Sequence, residues 1–211
     1  MPRIEADSIE AHVEAQTQRI LDAAMGLFEK RGYAGTDLRQ IAESVGLARN
    51  SLYRYYPGKD HILLACLRRD MAPNLERLGE LEAQFTDPAQ RIDEWLDIQM
   101  DIAATSCHGA IRLVASLKEH PPGFREEIRK LHEPATRVLR GALEELLAGS
   151  NRDSELVGTM INSLLNAAAA KMMEDGERDE VIAELRRSVH GILGAGTRQG
   201  RAPTDKEGQQ R

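Results

Sequence analysis

The residues with most to offer chemically gather in one stretch of this chain, TDLRQIAESVGLARNSLYRYYPGK, from Thr36 to Lys59. It holds Arg39, Arg49, Arg54 and Lys59 against only Asp37 and Glu43, inside a chain whose net charge is −6. All four tyrosines, Tyr33, Tyr53, Tyr55 and Tyr56, fall here or just before it. These side chains suit nucleic acid. An arginine fork matches the acceptors of a guanine edge, an asparagine amide matches adenine, and tyrosine hydroxyls and lysine hold phosphate oxygens. Arg39, Arg49 and Asn50 are therefore expected near base edges, with Ser51 and Arg54 on the same surface. Tyr53, Tyr55 and Lys59 are expected on phosphate, with Thr36 helping at its helix start. A helical hairpin with a solvated charged face would show each feature singly; all of them in this order favour DNA.

Two short helices about a tight turn would position these groups. Leu38, Ile41, Ala42 and Val45 recur at three- and four-residue spacing and so share one helix face. Thr36 reads as the N-cap, with Asp37 at the positive end of the helix dipole. Gly46 ends that helix, since glycine enters the left-handed region without a Cβ clash. Leu47, Leu52 and Tyr56 carry the apolar side into a second helix, whose opposite side is left with Arg49, Asn50, Tyr53 and Arg54. Helix, glycine turn and helix with an exposed polar face make a helix-turn-helix, at about residues 37–56, whose second helix enters a major groove. Pro57-Gly58 then breaks the chain and opens another helix. Lys59 at its start, beside unpaired backbone N–H groups, reads as a phosphate site.

The run GYAGTDLRQIAESVGLARNSLYRYYPGKDHIL resembles the TetR-type bacterial transcriptional regulators. The Leu52-Tyr53 pair and the Gly58-Lys59-Asp60 helix start are its most diagnostic parts. The resemblance covers about the first 75 residues, and beyond them only length and helical character agree, as the variable ligand-binding domain of that family would. It places family base contacts at or near Arg39, Arg49 and Asn50, and it implies an inducer bound in the body. Two positions depart from the commonest pattern: Ala48 stands where a capping serine is usual, and Asn50 where glycine is common. Alanine is a poor cap, so the reading helix is expected to fray at its start until DNA meets it.

The whole chain, 211 residues with 41% hydrophobic and 29% charged, suits one large or two modest globular domains. Cys66 and Cys107 lie far apart with no CxxC or histidine spacing, so reduced core thiols are expected and no metal or cofactor. The acidic N-terminus, MPRIEADSIEAHVEA, lacks the apolar run of a signal peptide and the bases of a minor-groove arm. No uncharged apolar stretch is long enough to span a bilayer, and the expectation is a cytoplasmic protein.

The expected fold is all-α. A three-helix DNA-binding head over residues 14–74 precedes a larger helical ligand-binding and dimerisation domain over 75–200, and a disordered tail occupies 201–211. The first helix is read from about Gln16 to Gly32, and a fourth from Lys59, interrupted or kinked at Pro73. Others are read over about 88–107, with Ile92, Trp95, Leu96, Gln99 and Ala103 on one face, around Ile111–Leu117, stopped at His120-Pro121-Pro122, and from Phe124 to Leu147, kinked or split at Pro134. Residues 156–170, LVGTMINSLLNAAAA, carry no charge, so this helix is expected to be buried on most sides, with a polar seam Thr159-Asn162-Asn166. A last helix presents Ile182, Leu185, Val189 and Ile192. Burying both final helices calls for a second copy, as a homodimer through residues 154–200.

Together these features point to a dimeric regulator, most simply a repressor, reading a palindromic operator. Trp95, Met100, His108, Phe124, Met160, Asn162 and Asn166 are the candidate pocket residues, for an inducer expected to be neutral and largely apolar. His108, His120, His132 and Cys107 show no nucleophile–base spacing, so catalysis is not expected. A helical adaptor or small-molecule carrier with a vestigial helix-turn-helix is the alternative, and the intact set Arg39, Arg49, Tyr53 and Lys59 argues against it.

Overall fold

One helix, Lys59–Gln84, joins everything before it to everything after it. In the computed structural model the described residues, 2–105, 123–174 and 177–194, form eight helices and no strand. They are α1 (Pro2–Arg31), α2 (Leu38–Ser44), α3 (Arg49–Leu52), α4 (Lys59–Gln84), α5 (Pro88–Ala103), α6 (Phe124–Leu146), α7 (Ser154–Glu174) and α8 (Arg178–Leu193). None is long and apolar enough to cross a membrane.

The head forms as the apolar spacing requires. Ile20, Ala24 and Phe28 of α1, Ile41 and Ala42 of α2 and Leu52 of α3 all point into one core, closed by Ile62, Leu63 and Leu67 of α4. Gly46 between α2 and α3 has φ of +70°, the left-handed turn expected of it. Polar links then fasten α1 to α4. The Arg69 guanidinium donates to Asp22 Oδ1 at 2.7 Å and to Gln18 Oε1 at 3.2 Å.

The body stacks α5 and α6 on α4, then α7 and α8 on those. Asp87 caps α5 by accepting from the Ala89 amide at 3.0 Å, with Pro88 at the first helical position. Acidic residues recur every four positions along α5 and meet bases on antiparallel α8: Asp93 with His190, Asp97 with Arg186, Asp101 with Arg178. This ladder holds α8 against the body.

Four expectations need correction. α1 begins at Pro2, not near Gln16, because helix-favouring Glu, Ala and Arg extend it without an apolar stripe. Neither Pro73 nor Pro134 splits its helix; α4 and α6 run through them, each giving up one backbone hydrogen bond. The uncharged helix, now α7, is not buried on most sides: Val157, Ile161, Leu165 and Ala169 face the body, while Leu156 and Met160 are 52% and 45% exposed. One protomer has partners for only one flank. Its seam is likewise exposed, with Thr159 donating to Glu155 O at 3.0 Å and Asn162 to Gly158 O at 3.0 Å. The helix read around Ile111–Leu117, its stop at His120-Pro121-Pro122, Cys107, His108 and the tail 201–211 lie outside the described residues.

Candidate functional site

The first helix of the pair is capped by Asp37, one residue beyond the position read from the sequence. Its carboxylate accepts from the Gln40 amide at 2.9 Å, and Gln40 Oε1 accepts from the Asp37 amide at 3.0 Å, a reciprocal capping box. The Gln40 amide is the main reason the Asp37 carboxyl lies below its ordinary range, and the Arg39 and Arg49 charges add to it. Thr36 is thereby released from capping and turns inward. It is 1% exposed, and its hydroxyl donates to Gly32 O at 2.9 Å and Leu27 O at 3.3 Å, serving carbonyls at the end of α1. Its side chain is therefore no phosphate contact.

On α3, buried Leu52 anchors four residues whose other side is free. Arg49, Asn50, Tyr53 and Arg54 are exposed and Ser51 half-buried. Ala48 stands at the N-cap with no side-chain bond, as its residue type dictates. Arg49 Nη2 donates to the Tyr53 hydroxyl at 3.0 Å, and the guanidinium carbon lies 5.6 Å from the Tyr53 ring centroid. The fork thus stands along the helix, held from below by a neighbour one turn on. Arg39 projects from α2, paired with Glu43 at 3.4 Å; both are well exposed, so the pair is weak and the guanidinium remains available.

Two expected contacts have other work. Lys59 Nζ donates to Tyr33 O at 2.8 Å and Thr36 O at 2.9 Å, and lies 4.3 Å from the Tyr33 ring centroid. Partial burial pushes its pKa down, opposed by Asp37 and Asp60, while burial first and Asp60 second push the Tyr33 phenol up to about 12. The ammonium pins the loop between α1 and α2 to the start of α4. Tyr55 is half-buried and lines a groove with Tyr56, Leu64, Arg68 and Phe124, where the head meets the start of α6. An ion pair between Arg68 and Glu127 borders the same groove.

A second concavity, of about 220 Å³, lies in the body between α5, α6 and α7. Trp95, Ile102 and Leu165 give its apolar walls, and Asn162 and Asn166 of the polar seam reach it from α7. Trp95 is held by its indole N–H, which donates to Ala135 O at 2.8 Å, so a ring face is what it offers. The cavity thus brings together Trp95, Asn162 and Asn166 of the expected set. Met100 is fully buried in the core and does not line it, Phe124 lies in the groove below the head, and Met160 faces outward.

A family profile described as bacterial regulatory proteins, tetR family, matches residues 20–66, the segment from mid-α1 through the helix pair into α4. The match is confined to the N-terminal head, and it is there that this chain is similar to tetR-family proteins. It is 32% identical over 91 residues to the HTH-type transcriptional regulator RutR of Escherichia coli K12, covering 43% of this chain and 42% of RutR. It is 40% identical over 83 residues to the HTH-type transcriptional repressor KstR of Mycobacterium tuberculosis, covering 38% of each. The chain thus matches well under half the length of these curated relatives. For the whole fold, the regulator FadR of Bacillus subtilis, solved in complex with stearoyl-CoA, superposes with a TM-score of 0.66 at 22% identity, over 85% of this chain and 98% of that one.

Three residues of the body cavity escaped the pocket reading. Gln99 is 8% exposed and its Nε2 has no hydrogen-bond partner. Thr136 lines the wall, its hydroxyl donating to His132 O at 3.1 Å. His132 also lines it, and burial pushes its pKa down by disfavouring the charged ring. The available signal was an amide on the apolar face of α5, one turn from Trp95.

The Lys59 clamp carries its own expected outcome. Lys59→Met keeps the stem and removes the ammonium, leaving two carbonyls with a weaker set of partners. Denaturation of the full chain should show a loss of about 1–3 kcal/mol. The salt dependence of DNA binding should barely move. A slope reduced by about one counterion per head, with unchanged stability, would return Lys59 to the phosphate backbone.

Proposed function

We propose that the protein is a dimeric, ligand-responsive repressor that binds a palindromic operator, with Arg39, Arg49 and Asn50 at base edges and Tyr53, Arg54 and Ser51 beside them. The observation that carries this reading is the exposed row Arg49, Asn50, Tyr53 and Arg54, on a helix anchored by Leu52 and the turn that follows it, in a head that matches the tetR family profile. A division near residue 74 falls inside α4, which makes that helix the lever between head and body. The second copy pairs through α7 and α8, whose outward flank keeps Leu156 and Met160 exposed in one protomer. A small molecule in the α5–α6–α7 cavity acts by binding the two separations of the heads unequally. Movement of α6 reaches α4 through Phe124 and the Arg68–Glu127 pair.

Selection of bound DNA from a random duplex library tests the DNA step. The enriched sequence should be an inverted repeat with half-sites about one helical turn apart, roughly 34–36 Å, where both heads of a dimer meet the same side of the duplex. Enrichment of single, unpaired half-sites would remove the dimer from the reading. Absence of any enrichment would favour the adaptor or carrier instead.

A further inference from the structure

We propose that the α5–α6–α7 cavity binds a small, neutral, planar molecule bearing a carboxamide-type group, held by the side chain of Gln99. This rests on the ligand-responsive reading and names the chemistry of its ligand.

Size comes first. A cavity of about 220 Å³ has room for on the order of ten non-hydrogen atoms, judged from the volume that water molecules need. A long acyl-CoA, the ligand of the superposed FadR structure, does not fit inside it.

Charge comes next. None of the described lining residues carries a carboxylate, ammonium or guanidinium. Burial disfavours the charged form of His132 as well. An ion entering this site would lose its hydration without gaining a counter-charge, which is costly in a partly enclosed space.

The polar groups then decide the class. Thr136 and Asn162 satisfy themselves on their own helices, and the Trp95 N–H is spent on Ala135 O. Gln99 differs: it is more than nine-tenths buried, lines the cavity, and has an Nε2 without a partner. An orphaned buried donor is costly, and a ligand acceptor relieves that cost on binding. A primary amide or lactam presents an acceptor and a donor side by side, so it pairs with both atoms of the Gln99 amide whichever way that amide is turned. Its flat ring or chain lies against the Trp95 face and Ile102.

An isosteric series tests this on the full chain: benzamide, benzoate, benzylammonium and ethylbenzene, with affinities from ligand-observed NMR titration. Benzamide should bind at least about tenfold more tightly than benzoate or benzylammonium, the factor one good hydrogen bond supplies. Gln99→Leu should weaken benzamide by about tenfold and leave ethylbenzene unchanged or tighter. That variant removes the orphaned donor, so it should fold at least as well as the parent. A charged isostere that matches benzamide, a benzamide affinity indifferent to Gln99→Leu, or no binding by any of the four would each overturn the proposal. Release from the selected operator is measured separately. Benzamide that binds through Gln99 without releasing DNA upholds the ligand chemistry and counts against the ligand-responsive reading alone.

Discussion

Met160→Glu is expected to leave a folded monomer whose hold on the operator has fallen by at least about a hundredfold. The side chain is 45% exposed on α7, one turn from Leu156 at 52%, so the substitution removes no contact from the protomer's own core. Beside it, Leu164 and Ala167 of α7 and Val181 of α8 line an open, mostly apolar groove. A second copy laid across α7 and α8 would cover both, and a carboxylate at Met160 would then be buried without a partner. Separated heads lose the gain from linked binding, typically about 10²–10⁴-fold. Sedimentation reads the first effect, since the parent should run near twice 23.5 kDa and the variant near 23.5 kDa. A Met160→Glu protein that stays dimeric would place the interface elsewhere. Leu185 is the wrong residue for this test, although its spacing on the last helix suggests it. It is 4% exposed within one protomer, so Leu185→Asp should unfold the chain and say nothing about pairing.

That difference shows where the sequence was readable. Apolar periodicity tells which residues share a helix face, so Leu38, Ile41, Ala42 and Val45 located α2 without ambiguity. It does not tell which neighbour that face meets, and so Leu185 was assigned to a partner while it packs against its own body. The α2 cap was misread by one position because threonine and aspartate both cap well. The deciding signal was three residues downstream, where Gln40 completes a capping box with Asp37 and not with Thr36. Lys59 was read as a free charge at a helix start. Only the folded loop brings the Tyr33 and Thr36 carbonyls, distant in sequence, within reach of its ammonium. Local rules also could not reveal the cavity. Trp95, Asn162 and Asn166 were legible as unusual residues, but Gln99 gains its meaning from the partners that α6 and α7 fail to give it.

Arg49→Ala should cost about 1–3 kcal/mol per head on the operator, roughly twice that for the dimer, and little on random DNA. Arg49 is exposed on the short reading helix, and its guanidinium is already ordered by the Tyr53 hydroxyl at 3.0 Å and by the ring beneath it. Ordering before contact matters, because a free arginine loses up to about 2 kcal/mol of rotamer entropy when fixed. We therefore expect Tyr53 to act partly through Arg49 and not only on phosphate. Tyr53→Phe keeps the ring and removes the acceptor, so it should recover most of the binding that Tyr53→Ala loses. It should also relax base preference at the position Arg49 reads. The measurement is competition between the selected operator and single-base variants of it. If Arg49→Ala weakens operator and random DNA alike, the fork grips phosphate. If Tyr53→Phe changes the salt slope but not the base preference, the hydroxyl is itself a backbone contact and Arg49 reads without its help.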